Sequence, residues 1–144
     1  MALIIAARSA QDVKELEFVF NIVDTMVNTS GVIDGFATVA THVFDVAPMP
    51  INSVVIGGSL VTDTAVTGST AYNVSVGDAS SATRYLGATD KTTAASTALV
   101  PTGFRTAVTT GIRLTVAPTV ATATAGKLTL RVMYVTDGQA DYAL

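Results

Sequence analysis

Tyr72, Val74 and Val76 alternate with Asn73, Ser75 and Gly77, the period of two that turns one face of a strand to a core and the other to water. Gly77-Asp78 then supplies a corner, since Gly tolerates positive φ and Asp bonds its own downstream backbone, and Tyr85-Leu86 resume the apolar pattern. The chain is organised around this strand, corner and second strand. The alternation recurs in Phe18, Phe20 and Ile22 against Glu17 and Asn21, which predicts a strand from Glu17 to about Asp24. It recurs in Ile112, Leu114 and Val116 over Thr110 to Ala117, stopped by Pro118. It recurs again over Lys127 to Val135, where Leu128, Leu130, Val132 and Tyr134 share a face.

Less regular stretches fill the intervals. Thr38 to Val46 predicts a strand closed by Pro48-Met49-Pro50, because proline lacks a ladder donor. Ile51 to Ile56 is a nearly continuous apolar run suited to burial on both faces, Gly57-Gly58 marks a bulge or sharp bend, and Leu60 to Val66 carries on beyond it. Thr97 to Val100 is a short strand before Pro101-Thr102-Gly103. Thr25 to Ala37 holds the turn formers Asn28-Thr29-Ser30-Gly31 and Asp34-Gly35 and predicts an apolar loop; Gly87 to Ser96 and Pro118 to Gly126 predict loops rich in Thr and Ala. Ser9 and Asp12 resemble a capping box, with Val13 and Leu16 as the buried side of one helical turn.

Eight or nine strands separated by turn signals define an all-β chain. The expected architecture is a jelly-roll-like antiparallel β-sandwich of about eight strands, since an immunoglobulin sandwich uses seven and, in antibodies, a Cys-Trp-Cys core that this chain lacks. The expected organisation is an N-terminal arm over residues 1–16, carrying any short helix, a sandwich domain over 17–135 and a C-terminal tail over 136–144.

Composition sharpens this picture. Charged residues are 13% of the 144, against roughly 25% in an average domain, while 49% are hydrophobic and the mean hydropathy is +0.52. A surface poor in charge suits burial against protein, because interface centres are depleted in charged side chains. No apolar run reaches the roughly 18 residues of a membrane-spanning helix, and 6% aromatics without Trp are too few for the girdles of a transmembrane barrel. No membrane partner is expected. A net charge of −3 with scattered Lys and Arg provides no footprint for a phosphate backbone, so no nucleic acid is expected either. The start Met1-Ala2-Leu3-Ile4-Ile5-Ala6-Ala7-Arg8 has no basic segment before its apolar run, which predicts an unprocessed, intracellularly made chain. The absence of cysteine excludes disulfides and thiolate sites.

Candidate chemistry is sparse, and no cofactor is implied. The single histidine, His42, shares a predicted face with Ala40, Phe44 and Val46 and reads as a hydrogen-bonded core or edge residue rather than a catalytic base; no Gly-x-Ser-x-Gly elbow accompanies it. Asp63, Asp78, Asp90 and Asp137 fall at predicted turns and read as turn residues rather than calcium ligands or a glycosidase pair. Gly57-Gly58-Ser59 lacks the Lys-Ser/Thr of a phosphate loop. The hydrophobic residues beyond what a sandwich needs are Leu3, Ile4 and Ile5 in the arm, Val32, Ile33 and Phe36 in the 25–37 loop, and Tyr142 and Leu144 in the tail. These are the candidates for contact with other subunits.

The stretch Val74-Ser75-Val76-Gly77-Asp78-Ala79-Ser80-Ser81-Ala82-Thr83-Arg84-Tyr85-Leu86, preceded by Val54-Val55-Ile56-Gly57-Gly58 and followed by Ala98-Leu99-Val100-Pro101-Thr102-Gly103, resembles small structural proteins of tailed-bacteriophage virions. So does Ala125-Gly126-Lys127-Leu128-Thr129-Leu130-Arg131-Val132-Met133-Tyr134-Val135 with Asp137-Gly138-Gln139-Ala140-Asp141-Tyr142. Within that group the resemblance is to jelly-roll cement, or decoration, proteins. It covers about Val43 to Tyr142 and brings no catalytic or ligand residues. It implies a non-enzymatic chain made in the host cytoplasm and placed on the outer capsid surface of the virion. There it would bind the major capsid protein and bridge neighbouring shell subunits, as a homodimer on two-fold positions or another symmetric homo-oligomer. The alternative is a head-fibre, tail or host-receptor-binding sandwich, present in few copies.

Overall fold

A computed structural model describes residues 13–107 and 111–136. Ten strands are present among them: β1 Lys14–Asn21, β2 Thr25–Val27, β3 Ile33–Gly35, β4 His42–Pro48, β5 Ser53–Thr67, β6 Ala71–Gly77, β7 Leu86–Asp90, β8 Ser96–Ala98, β9 Gly111–Thr119 and β10 Ala125–Thr136. Eight build two four-stranded sheets, ordered β1-β10-β5-β8 and β4-β9-β6-β7, and β2-β3 form a separate hairpin. With the hairpin set aside, the first sandwich strand pairs with the last (β1 with β10), the second with the seventh (β4 with β9), the third with the sixth (β5 with β8) and the fourth with the fifth (β6 with β7). Nested antiparallel pairing of this kind, folded over into two sheets, is a jelly roll. The expected all-β class and sandwich architecture are what the structure contains.

The core lies between the sheets and is made by the alternating residues. Phe20, Phe44, Leu60, Tyr72, Val74, Val76, Leu114, Val116, Leu128 and Leu130 are all buried in it. At the side where β1 faces β4, Phe36 stacks on Phe20 with ring centroids 4.6 Å apart and meets Phe44 at 4.5 Å, so one aromatic ring joins the two sheets. Offset and tilted ring pairs at this separation add attraction beyond their buried area.

Several sequence expectations need correction. Residues 14–16 are the start of β1 and not a helical turn: Leu16 packs with Phe18 against the core, and the period of two simply begins three residues earlier. Residues 9–12 of the expected cap lie outside the described residues. The 51–56 run is not buried on both faces. Ile51-Asn52 form a turn and Val54 is half-buried. Ile56 is exposed where the β5–β10 register slips by one residue, between the pairs Val55–Tyr134 and Gly57–Met133. This is the bulge expected at Gly57-Gly58, and it lets β5 continue as one 15-residue strand. Gly58 has φ +138°, and a Cβ there would stand 2.2 Å from the Arg131 carbonyl oxygen. Gly87 to Asp90 belong to β7, an edge strand whose single neighbour demands little alternation, and Pro118 lies inside β9 rather than after it. Asp63 is in mid-β5, where it accepts a 2.6 Å bond from the Thr129 hydroxyl across the ladder.

Candidate interaction surface

The 25–37 segment is a hairpin, not an irregular loop. Asn28 makes the reversal: its Oδ1 accepts the N–H groups of Ser30 at 2.8 Å and Val32 at 3.1 Å, and its own N–H donates to the Val32 carbonyl at 2.8 Å. A side-chain oxygen that caps two backbone donors stands in for part of a turn's ladder. Register places Val27 opposite Ile33 and Met26 opposite Asp34, so the two pairs point to opposite sides. One side is fastened to the sandwich. Asp34 accepts from the Asn28 amide and lies 3.1 Å from His42 Nδ1, Thr29 N–H donates to the Val43 carbonyl at 2.9 Å, and Met26 packs against the core.

The other side carries Val27 and Ile33, and Val32 precedes Ile33 at the turn; Val32 is 56% and Ile33 71% exposed. These two sequence candidates are together on one projecting tip. Phe36, offered with them, is 1% exposed and is corrected to a core residue. Its carbonyl accepts the Tyr72 hydroxyl at 2.9 Å, and burial pushes the Tyr72 phenol well above its ordinary range. Its ring fills the space between Phe20 and Phe44, a position that no local pattern around Asp34-Gly35-Phe36-Ala37 announces. Leu3, Ile4, Ile5, Tyr142 and Leu144 lie outside the described residues.

His42 is 8% exposed and is held by Asp34 as the sequence reading expected of a hydrogen-bonded residue. Its Nε2 is buried with no hydrogen-bond partner among the described residues, while the Asp34 contact at Nδ1 ties the hairpin to β4. No group of three metal-ligating side chains occurs among the described residues. Ala40, expected on the same strand face as His42, precedes β4 and is exposed.

Asp78 forms the corner that the sequence predicted. Its Oδ1 accepts Ser80 N–H and Ser81 N–H, each at 2.9 Å, and the Ser80 hydroxyl at 2.8 Å, while Oδ2 takes the Arg84 guanidinium. Burial alone would raise this carboxyl, but the bonds from Arg84, Ser80 and Ser81 outweigh it and hold it below the usual carboxylate range. Arg84 in turn lies over the Phe104 ring at 3.6 Å, a cation–π contact. Gly77 is needed here for closeness, since a Cβ would stand 2.0 Å from the Ser81 carbonyl oxygen. A second exposed apolar residue that the pattern did not single out is Val120, 82% exposed with φ +71° in the β9–β10 connection, where Ala121 N–H bonds the Thr119 carbonyl.

The fold and surface together define an eight-stranded jelly roll with an anchored hairpin whose tip is apolar. No protein-family profile matches the chain, and no curated protein matches it. Solved structures do. A chain of the cyanophage Pam1 capsid asymmetric unit is 24% identical with TM-score 0.64, covering 94% of this chain and 93% of that one. A chain of the Ralstonia phage GP4 capsid is 15% identical with TM-score 0.58, covering 94% and 90%. A chain of the acidic stable capsid of Helicobacter pylori bacteriophage KHP30 is 14% identical with TM-score 0.52, covering 86% and 93%. The chain thus shares, over nearly its full length, a fold found in bacteriophage capsids.

Proposed function

We propose that this chain is a non-enzymatic structural protein of a tailed-phage virion that binds the outside of the shell and bridges neighbouring major capsid subunits. The observation that carries the reading is the projecting tip of Val27, Val32 and Ile33, held in place by Asp34, His42 and Phe36. The fold shared with chains of three phage capsids supports it. Apolar side chains left in water at the hairpin tip are available for a partner, and burying each one contributes roughly 1.5–3 kcal/mol before ordering costs. Few contacts per copy suffice when many copies act on one shell, because linked contacts work at high effective concentration.

Two measurements test this. Quantitative mass spectrometry of purified virions should find the chain at a stoichiometry comparable to the major shell subunit; a small fixed number per particle would assign it to a fibre or tail instead. On particles stripped of the chain, re-addition of a Val32→Asp/Ile33→Asp variant should give at least about tenfold weaker occupancy than wild type. The melting temperature should stay within a few degrees, as for exposed substitutions generally. Equal occupancy would remove the tip from the contact.

A further inference from the structure

We propose that Val120 is a second shell contact, separate from the hairpin tip: an apolar knob for a small apolar pocket of the major capsid protein. Because bridging takes two separate contacts and the hairpin supplies one, this assignment rests on the shell-binding reading and adds the other surface to it. Val120 has φ +71°, and the Ala121 N–H donates back to the Thr119 carbonyl at 2.9 Å. Together these make the three-residue γ-turn of positive φ, a rare and strained form. Gly or Asn takes a positive φ readily, whereas a β-branched residue there is an outlier. The surrounding fold holds the turn. The Ser69 hydroxyl donates to the Thr119 carbonyl at 2.8 Å, and the Thr119 hydroxyl donates to the Ala71 carbonyl at 3.1 Å. On the far side of the loop, the N–H groups of Ala123 and Thr124 donate to the carbonyls of Ala37 and Thr67 at 3.1 and 2.8 Å. The valine side chain gains little from this fixture, since Val120 is 82% exposed. A valine kept at a strained position with so little internal contact points to an external one.

The register separates this knob from the hairpin tip. Thr29 of the hairpin bonds Val43, and Val43 lies opposite Thr115 on β9. Val120 is five residues further along, so at about 3.3 Å per residue it stands roughly 16 Å beyond that level, past the end of β9. The segments 36–41 and 119–126, joined through Ala37 and Ala123, contain no charged residue and also expose Val39, which suits an interface centre. The patch is nevertheless small. A stable dimer of two copies needs roughly 800 Å² and 20–30 residues on each side, far more than two short loops offer, so a second copy in free solution is not its occupant. On a shell already gripped by the hairpin, a contact of this size works at high effective concentration.

Val120→Asn removes the apolar side chain and relaxes the turn, which separates a contact residue from a structural one. On particles stripped of the chain it should show about tenfold weaker occupancy than wild type, the loss expected when one valine is no longer buried. Its melting temperature should nevertheless rise by roughly 2–6 °C as the strain is released. Val100→Asn, at another exposed valine beyond the opposite end of β5, should bind as wild type does. Combined with Val32→Asp/Ile33→Asp, the Val120→Asn loss should multiply, as separate contacts require. Val120→Asn occupancy equal to that of bound wild type would overturn the contact while leaving the shell-binding reading intact. So would a lowered melting temperature, an equal loss in Val100→Asn, or losses that do not multiply with those of the tip. A lower mass for Val120→Asn than for wild type, by light scattering of the free chains, would overturn it in favour of a second copy. Failure of the wild-type chain itself to rebind stripped particles would instead overturn the shell-binding reading, and this contact with it.

Discussion

Asp78 shows how one residue fixes a corner. Four donors converge on its carboxylate, and the folded protein therefore holds its proton less tightly than the unfolded chain does. The unfolded state binds more protons as pH falls, so this contribution is complete above the unfolded value near 3.9 and is lost as pH drops below it toward the depressed folded value. Asp78→Asn should cost about 1.5–3 kcal/mol at neutral pH, the usual worth of bonds to a charged group. It should also flatten the acid limb of urea-unfolding stability measured between pH 5 and 2. An unchanged acid limb would assign that limb to other carboxylates. The Gly77-Asp78 pair was legible as a corner, although Gly77 serves through the close approach of Ser81 rather than through positive φ. Lys91 was not legible. It is buried, with its Nζ donating to Thr97 at 2.6 Å, and burial depresses its pKa, yet nothing in Asp90-Lys91-Thr92 distinguishes it from a solvated turn lysine.

The hairpin is the element on which the candidate surface depends. Asn28 and Gly31 mark its turn in the sequence, but two three-residue strands are too short to show a period, and Phe36 between Gly35 and Ala37 looks like any loop hydrophobic. Its burial follows from the distance between β1 and β4 in space, which only the assembled sheets define. Phe36→Ala should cost roughly 3–5 kcal/mol, as large-to-small changes at buried aromatics do. It should also raise amide exchange in residues 25–35 more than in β9 or β10. Exchange that rises evenly across the chain would mean that the ring supports the sandwich without specifically anchoring the hairpin. Val32 and Ile33 were legible as surplus hydrophobics because they sit beside a turn with no alternation to absorb them.

For the whole molecule, alternation indicated which residues face inward in β6, β9 and β10 and therefore the all-β class. The nested order of pairing was not written in any one stretch, since a strand's own pattern does not name its partner. That order makes contacts long-range: Arg131 bonds Glu17, which is 114 residues away. Chains dominated by such pairings fold in milliseconds to seconds. Stopped-flow refolding of the isolated chain should fall in that range, and microsecond folding would mean that local contacts dominate the barrier. On the ribosome the same pairing imposes an order of events. β1 is made first, yet its ladder partner β10 is made last, and at about 5–20 residues per second the delay is on the order of ten seconds. For that interval Phe18 and Phe20 are in the cell on a strand with neither edge paired, so a nascent chain stalled before Leu128 is a substrate for chaperones and proteases rather than a smaller version of the same protein.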